Sequence, residues 1–216
     1  MLYADSNGNR IKAIPNTEAV CPYCKGEVIP KCGTMNIWHW AHRVHDQNCI
    51  YKEMSEWHRE LQQKAEVLGW EIEAHIKYRI ADCAYKGNII ELQKSPISTE
   101  EIIARNINYD AENKKINWIF DYRNKVETMD LTLVDDIVKF KQRWPKKSIV
   151  ILFNYIDDNN KPVWGNVGLD IGYGKLIDVI KMYDNGNGYG KIYSIEEMLT
   201  IPHGRLVTTT RRNLRR

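Results

Sequence analysis

The sequence has no apolar run approaching the roughly 20 residues that a membrane helix needs. Its opening, with Tyr3, Asp5 and Asn7 directly after Met1, lacks the basic and apolar regions of an export signal. The chain is therefore expected to be soluble, unexported and cytoplasmic, with no membrane partner. It also lacks a charge excess: 31 basic against 28 acidic side chains leave a formal net charge of +3, which permits nucleic acid as a partner without arguing for it. Neither an internal repeat nor a long linker is visible. Gly172-Tyr-Gly174 and Gly186-Asn-Gly188-Tyr-Gly190 lack the Lys-Ser/Thr tail and the clear helix of a phosphate loop, and they are expected as hairpin turns. What is present is an ordinary globular composition, 43% hydrophobic and 27% charged over 216 residues, with room for one domain plus an appendage or for two modest domains.

Five cysteines in a chain without an export signal point to metal ligands or buried thiols rather than disulfides, because cytosolic thiols are kept reduced. Cys21-Pro-Tyr-Cys24, followed by Lys25-Gly26, makes a turn in which two thiolates can face one ion; His39, His42 and Cys49 form a second cluster downstream. This two-knuckle arrangement is what tetrahedral zinc requires. A short strand is expected over Met35 to His42, and alternation along it sends His39 and His42 to opposite sides. The expected zinc ligands are Cys21, Cys24, His42 and Cys49, with His39 as the alternative ligand. Four protein donors leave no open position, so this Zn²⁺ is structural. Cys32, beside Gly33 at an expected hairpin turn, and the distant Cys83 are read as bystanders. The competing reading makes Cys21 and Cys24 buried thiols and the histidines packing residues.

From Glu53 to Trp70 the spacing of Met54, Trp57, Leu61, Ala65 and Leu68 predicts an amphipathic helix, with Ser55 as cap and Gly69 as stop. Three extended runs follow, Trp70 to Ile76, Tyr78 to Tyr85 and Asn88 to Gln93, with Lys86-Gly87 as a tight turn between the last two. That turn brings Asp82 alongside Glu91, which shares a strand face with Gln93. Two carboxylates on paired strands suit a hard divalent cation; the alternative is that both are polar residues on the wet face of a sheet. Ser98 and Glu101 form a capping box before a helix on which Ile102, Arg105 and Tyr109 look back toward the sheet. Arg105 either holds a backbone phosphate or anchors a carboxylate. Ile116 to Phe120, Ser148 to Tyr155 and Val167 to Ile171 read as further strands, and Asp157 to Lys161 as a polar turn. The tail, with Arg205, Arg211, Arg212, Arg215 and Arg216, is either a supplementary phosphate contact or a solvated end.

The string His39-Trp-Ala-His42, Cys49, Ser55-Glu-Trp-His58, Arg79-Ile-Ala-Asp82, Ile90-Glu-Leu-Gln-Lys-Ser95-Pro-Ile-Ser98, Arg105, Tyr109 and Trp118-Ile-Phe-Asp121 resembles the competence protein CoiA-like family. The resemblance implies an α+β/α/β protein. A zinc ribbon-like module over 1–52 precedes a PD-(D/E)XK restriction-endonuclease-like core over 53–125, whose mixed sheet is flanked by helices; a β-rich extension with a basic tail, 126–216, packs on the core. It further implies that Asp82 and Glu91 bind Mg²⁺ or Mn²⁺ and that Gln93 takes the place usually held by a lysine, positioning water without supplying charge. Glu56 and His58 match a helical Glu-x-x-His neighbourhood imperfectly, with Glu56 a possible third carboxylate, while Gln62 replaces a lysine expected on that helix. Lys94 and Arg105 would contact nucleic acid. The implied function is metal-dependent hydrolysis of single- or double-stranded DNA, in competence or mobile-element processing, with a homodimer as a possible assembly. The rivals are a DNA-binding or processing factor that keeps the fold without cutting, and a zinc-dependent interaction adaptor.

Overall fold

Asn7-Gly8 closes the first hairpin because both residues take left-handed φ, 52° and 80°, the geometry of a two-residue type I′ turn. It joins β1 (Tyr3–Ser6) to β2 (Asn9–Lys12). With β3 (Ala19–Val20), β4 (Glu27–Lys31) and β5 (His39–His42), these strands form a five-stranded sheet in the order β2-β1-β3-β4-β5. Its small core gathers Ala4, Ala13, Val28 and Trp40 around Cys21 and Cys49. The strand expected from Met35 begins only at His39.

The computed structural model describes residues 1–44, 47–51, 54–134, 137–142, 166–182 and 187–200. The run expected as a strand over 148–155, the turn over 157–161, Gly186 and the arginine tail lie outside them. Among the described residues, no helix is long and apolar enough to cross a membrane.

Helix α1 (Glu56–Val67) is capped by Ser55, whose side chain accepts the His58 amide at 3.4 Å, and it ends at Leu68 before Gly69, at φ 87°. Its apolar stripe buries Trp57, Leu61 and Ala65. Strands β6 (Glu71–Ile76), β7 (Arg79–Tyr85) and β8 (Asn88–Gln93) follow as the expected meander, Lys86 and Gly87 taking φ of 44° and 82° in the turn. Ser98 caps α2 (Thr99–Ala111) by accepting the Glu101 amide at 3.2 Å. The capping box is half made: the Glu101 carboxylate turns to Arg79 and Arg105 instead of reaching back to the cap. β9 (Lys115–Asp121), a 3-10 turn (Arg123–Thr128), β10 (Met129–Val134), β11 (Ile137–Gln142), β12 (Asn166–Gly172), β13 (Lys175–Met182), β14 (Asn187–Ser194) and the short α3 (Ile195–Thr200) continue the chain.

All strands from β6 to β14 join one nine-stranded mixed sheet, ordered β10-β11-β14-β13-β12-β9-β8-β7-β6, with β8, β9 and β12 parallel at its middle. Helix α1 covers one face, packing Trp57 and Leu61 with Ile72, Cys83, Ile90 and Leu92. Helix α2 covers the other, packing Ile102 and Tyr109 with Ala74, Ala81, Ile89 and Trp118. The expected mixed sheet with flanking helices is thus present. A bond between distant parts fixes α1: the Trp57 indole N–H donates to Asp170 Oδ2 at 2.7 Å.

Regular alternation fails between β6 and β7. Ile72 and Ala74 belong on one face by period two, yet they lie in opposite cores, and so do Ala81 and Cys83. Between them stand Glu73, at φ 51°, and Asp82, in the gap between the pairs Ile72↔Cys83 and Ala74↔Ala81. A left-handed non-glycine residue there reverses which face the strand presents.

Gly188 and Gly190, expected in a hairpin turn, lie inside β14 instead; Gly172 to Gly174 does turn the chain between β12 and β13. Gly190 is set by close approach, since a Cβ there would stand 2.2 Å from the Asp178 carbonyl oxygen. Gly190→Ala is expected to cost about 1–3 kcal/mol of stability through overpacking, whereas Gly33→Ala, which meets nothing within 4 Å, should change it by less than about 0.5 kcal/mol. Urea unfolding followed by tryptophan fluorescence measures both.

Candidate functional site

The knuckle at Cys21 is a tight turn: its amide donates to Gly26 O at 2.8 Å and its carbonyl accepts Lys25 N at 3.0 Å. Lys25 takes φ 60°, and a side chain at Gly26 would press on Cys24 Sγ at 3.3 Å, so glycine leaves room for that sulfur. The ligand atoms of Cys21, Cys24, His42 and Cys49 lie within 4.8 Å of one another. Cys21 and Cys49 sulfurs are 3.7 Å apart, and Cys24 Sγ is 3.2 Å from His42 Nε2. A tetrahedral ion about 2.3 Å from each sulfur would separate sulfurs by about 3.8 Å, so the donor set fits zinc in spacing and in type. Burial pushes the Cys21 thiol up to about 12, which disfavours its thiolate unless a cation stabilises it. His39 is elsewhere, with Nδ1 on Ile37 O at 2.8 Å. Neither Cys32 nor Cys83 is in the cluster.

In the large sheet, the ladder between β7 and β8 runs from Tyr85↔Asn88 to Cys83↔Ile90. One step further, the Leu92 amide donates to Asp82 Oδ2 at 2.7 Å. A side-chain carboxylate thus takes an amide beside the end of the ladder, and Asp82 sits next to Glu91 rather than on a separate wet face. Glu91 is only 1% exposed. Its Oε1 accepts the Tyr109 hydroxyl at 2.5 Å and its Oε2 is paired with Arg105 Nη1. Burial, then the charge of Asp82, raises the Glu91 carboxyl to about 7 against the opposing pull of Arg105. Of the two roles the sequence allows Arg105, phosphate contact and carboxylate anchor, the structure shows it on a carboxylate.

His58, from the first turn of α1, places Nε2 3.5 Å from Asp82 Oδ2. Burial alone would depress its basicity, but Asp82's charge and the hydrogen bonds to Asp82 and Leu92 outweigh burial and raise it. One helical turn on, Gln62 is wholly buried; its amide donates to Asp82 O at 3.2 Å while its Oε1 has no partner. An orphaned buried acceptor next to the Asp82 main chain marks a place for a water. In the sequence Gln62 reads only as a missing lysine, and only its i, i+4 spacing from His58 signals its position.

Glu56 does not join this group: it accepts Ile37 N at 2.9 Å and Arg59 Nη2 at 2.9 Å, serving the contact between the amino-terminal sheet and α1. Gln93, partly exposed, turns its amide to Ser95 O at 2.5 Å. Lys94 Nζ lies 3.9 Å from Asp121 Oδ2, and Arg123 pairs with the same carboxylate. The two sheets meet at Glu73, which is wholly buried and accepts the amides of Leu2 at 2.7 Å and Tyr3 at 3.2 Å.

Residues 4–52 match the model of the competence protein CoiA N-terminal domain, and residues 35–167 match that of the CoiA nuclease-like domain. The chain belongs to the CoiA competence family. No curated protein and no solved structure gives a significant match. Asp82, Glu91, Arg105 and Tyr109 all fall within the match to the CoiA nuclease-like domain.

Because His58 is more basic folded than its usual 6.5, its contribution to stability is complete below about that pH and is lost as pH rises through the raised folded value. In protein without added divalent cation, the stability gap between wild type and His58→Gln should therefore be widest in mild acid and close as the solution turns alkaline. A gap independent of pH would rule out the His58–Asp82 pairing as its source.

Proposed function

We propose that this CoiA-family chain is a metal-dependent DNA nuclease with a PD-(D/E)XK-type core over 53–125. An amino-terminal zinc module, 1–52, precedes it and a β-rich extension, 126–216, completes its sheet. The observation that carries the reading is the pairing of Asp82, which leaves the ladder to meet the Leu92 amide, with the buried Glu91. Two carboxylates are the oxygen donors that a hard divalent cation takes. Asp82 and Glu91 would hold Mg²⁺ or Mn²⁺, which when bound neutralises charge on a phosphate and activates water.

The remaining work belongs to side chains of the chain itself. His58 keeps its proton further into the neutral range beside Asp82 and is placed to give one up or take one back. Gln93 brings an amide without charge, and because its Nε2 is engaged by Ser95, its Oε1 is the end that meets a water. Lys94, 44% exposed, reaches a DNA backbone more readily than Arg105, which is paired to carboxylates. The Cys21, Cys24, His42, Cys49 centre is a structural zinc site, closed by four protein donors. A cytoplasmic setting, where thiols stay reduced, belongs to the same reading. The occupation of Glu91 by Arg105 and Tyr109 favours one rival, a DNA-processing factor that keeps the fold without cutting.

Asp82→Ala and Glu91→Ala should each lower Mg²⁺-dependent cleavage of single- or double-stranded DNA by on the order of 10²–10³-fold while leaving the zinc content unchanged. Cleavage that survives both substitutions excludes this site, and a wild-type protein that binds DNA in Mg²⁺ but never cuts it supports the rival. Elemental analysis should find about one zinc per chain. Cys21→Ser should lose that zinc and melt the small sheet at lower temperature; zinc-free wild type would remove the centre.

A further inference from the structure

Both oxygens of Glu91 are taken, one by the Tyr109 hydroxyl and the other by the Arg105 guanidinium. These two donors differ in charge. A neutral phenol can stay on a carboxylate that binds a divalent cation, whereas a guanidinium on the same carboxylate competes with that cation. Arg105 also has a second station: its Nε donates to Glu101 Oε1 at 2.8 Å, on the oxygen that accepts Arg79 Nη1 at 2.7 Å. Releasing Glu91 would leave Arg105 still tethered one helical turn away, with its side chain 27% exposed and so within reach of a solvent-borne ligand.

From this arrangement we propose that Arg105 occupies the place of a cation on Glu91, and that divalent-metal binding hands its guanidinium to a DNA phosphate. The inference rests on the nuclease reading above and adds an order of binding to it. Without metal, the guanidiniums of Arg79 and Arg105 are both held on carboxylates, so neither is free to meet a phosphate. A divalent cation on Glu91 would displace the Arg105 guanidinium, whose planar fork suits two phosphate oxygens. Tyr109 stays on Glu91 throughout and holds the carboxylate in place. Metal and DNA therefore bind cooperatively through one side chain, and Arg105 opposes the first step while serving the second.

Two measurements on the full chain test this. Mn²⁺ affinity, read by electron paramagnetic resonance, should rise about fivefold or more in Arg105→Gln, the scale of an ordinary coupling between sites. Affinity for a fluorescent phosphorothioate oligonucleotide, read by anisotropy, should improve by a similar factor on adding Mn²⁺ to wild type, and that gain should be largely lost in the variant. Arg105→Lys, which keeps the charge but loses the fork, should lie between the two on both readouts; if circular dichroism shows Arg105→Gln unfolded, the lysine variant decides alone. Mn²⁺ affinity unchanged or weakened by these substitutions overturns the exchange, as does an Mn²⁺-induced gain in oligonucleotide affinity that they leave intact. A wild type that binds Mn²⁺ no better than Asp82→Asn removes the nuclease reading itself, and the exchange with it.

Discussion

The short contact between the Leu92 amide and the Asp82 carboxylate is the constraint on which the site depends. A buried amide must find an acceptor, and past Cys83↔Ile90 the paired strands supply a side chain for it. That exchange is possible because the β6–β7 pair reverses its faces at Glu73 and Asp82, sending Ile72 and Cys83 to one core and Ala74 and Ala81 to the other. Asp82 is thereby directed across to the β8 main chain, where its carboxylate meets the Leu92 amide. The two acids then share a desolvated space, and each neighbour follows from that charge: Arg105 and Tyr109 on Glu91, His58 on Asp82.

Much of this was legible because local periodicity and turn chemistry agreed. The stripe Trp57, Leu61, Ala65 and the cap at Ser55 defined α1, and Lys86-Gly87 brought β7 beside β8. Alternation along the strand chose His42 over His39 for the cysteine cluster even though that strand proved shorter than expected. Asn7-Gly8 was an equally plain hairpin signal that went unread. Other features depend on partners far away in the chain. Glu56 faces a donor from the loop before β5, Ile37, as well as Arg59, and no helical pattern reveals that competition. Glu73 carries no mark of its left-handed backbone, which glycine and asparagine advertise and glutamate does not. Gly190 looked like a turn residue when the crowding of Asp178's carbonyl was its reason.

The same far-reaching contacts join the two sheets. Glu73 binds the first amides of β1, and it stands across the β6–β7 ladder from Asp82. The loop before β5 is likewise tied to the start of α1 through Ile37 and Glu56, two residues from His58. The cysteine-bearing sheet therefore buttresses both elements that deliver groups to the carboxylates, which gives the cysteine and histidine cluster a bearing on them without touching them.

The bond from Trp57 to Asp170 spans 113 residues. During synthesis α1 leaves the ribosome long before its acceptor exists, and β12 must then insert in parallel beside β9 before the indole is satisfied. The helix that carries His58 and Gln62 is therefore seated late, by a strand at the middle of the sheet. A nascent chain already long enough to contain Asp82 and Glu91 therefore still lacks the strand that holds α1 in place beside them.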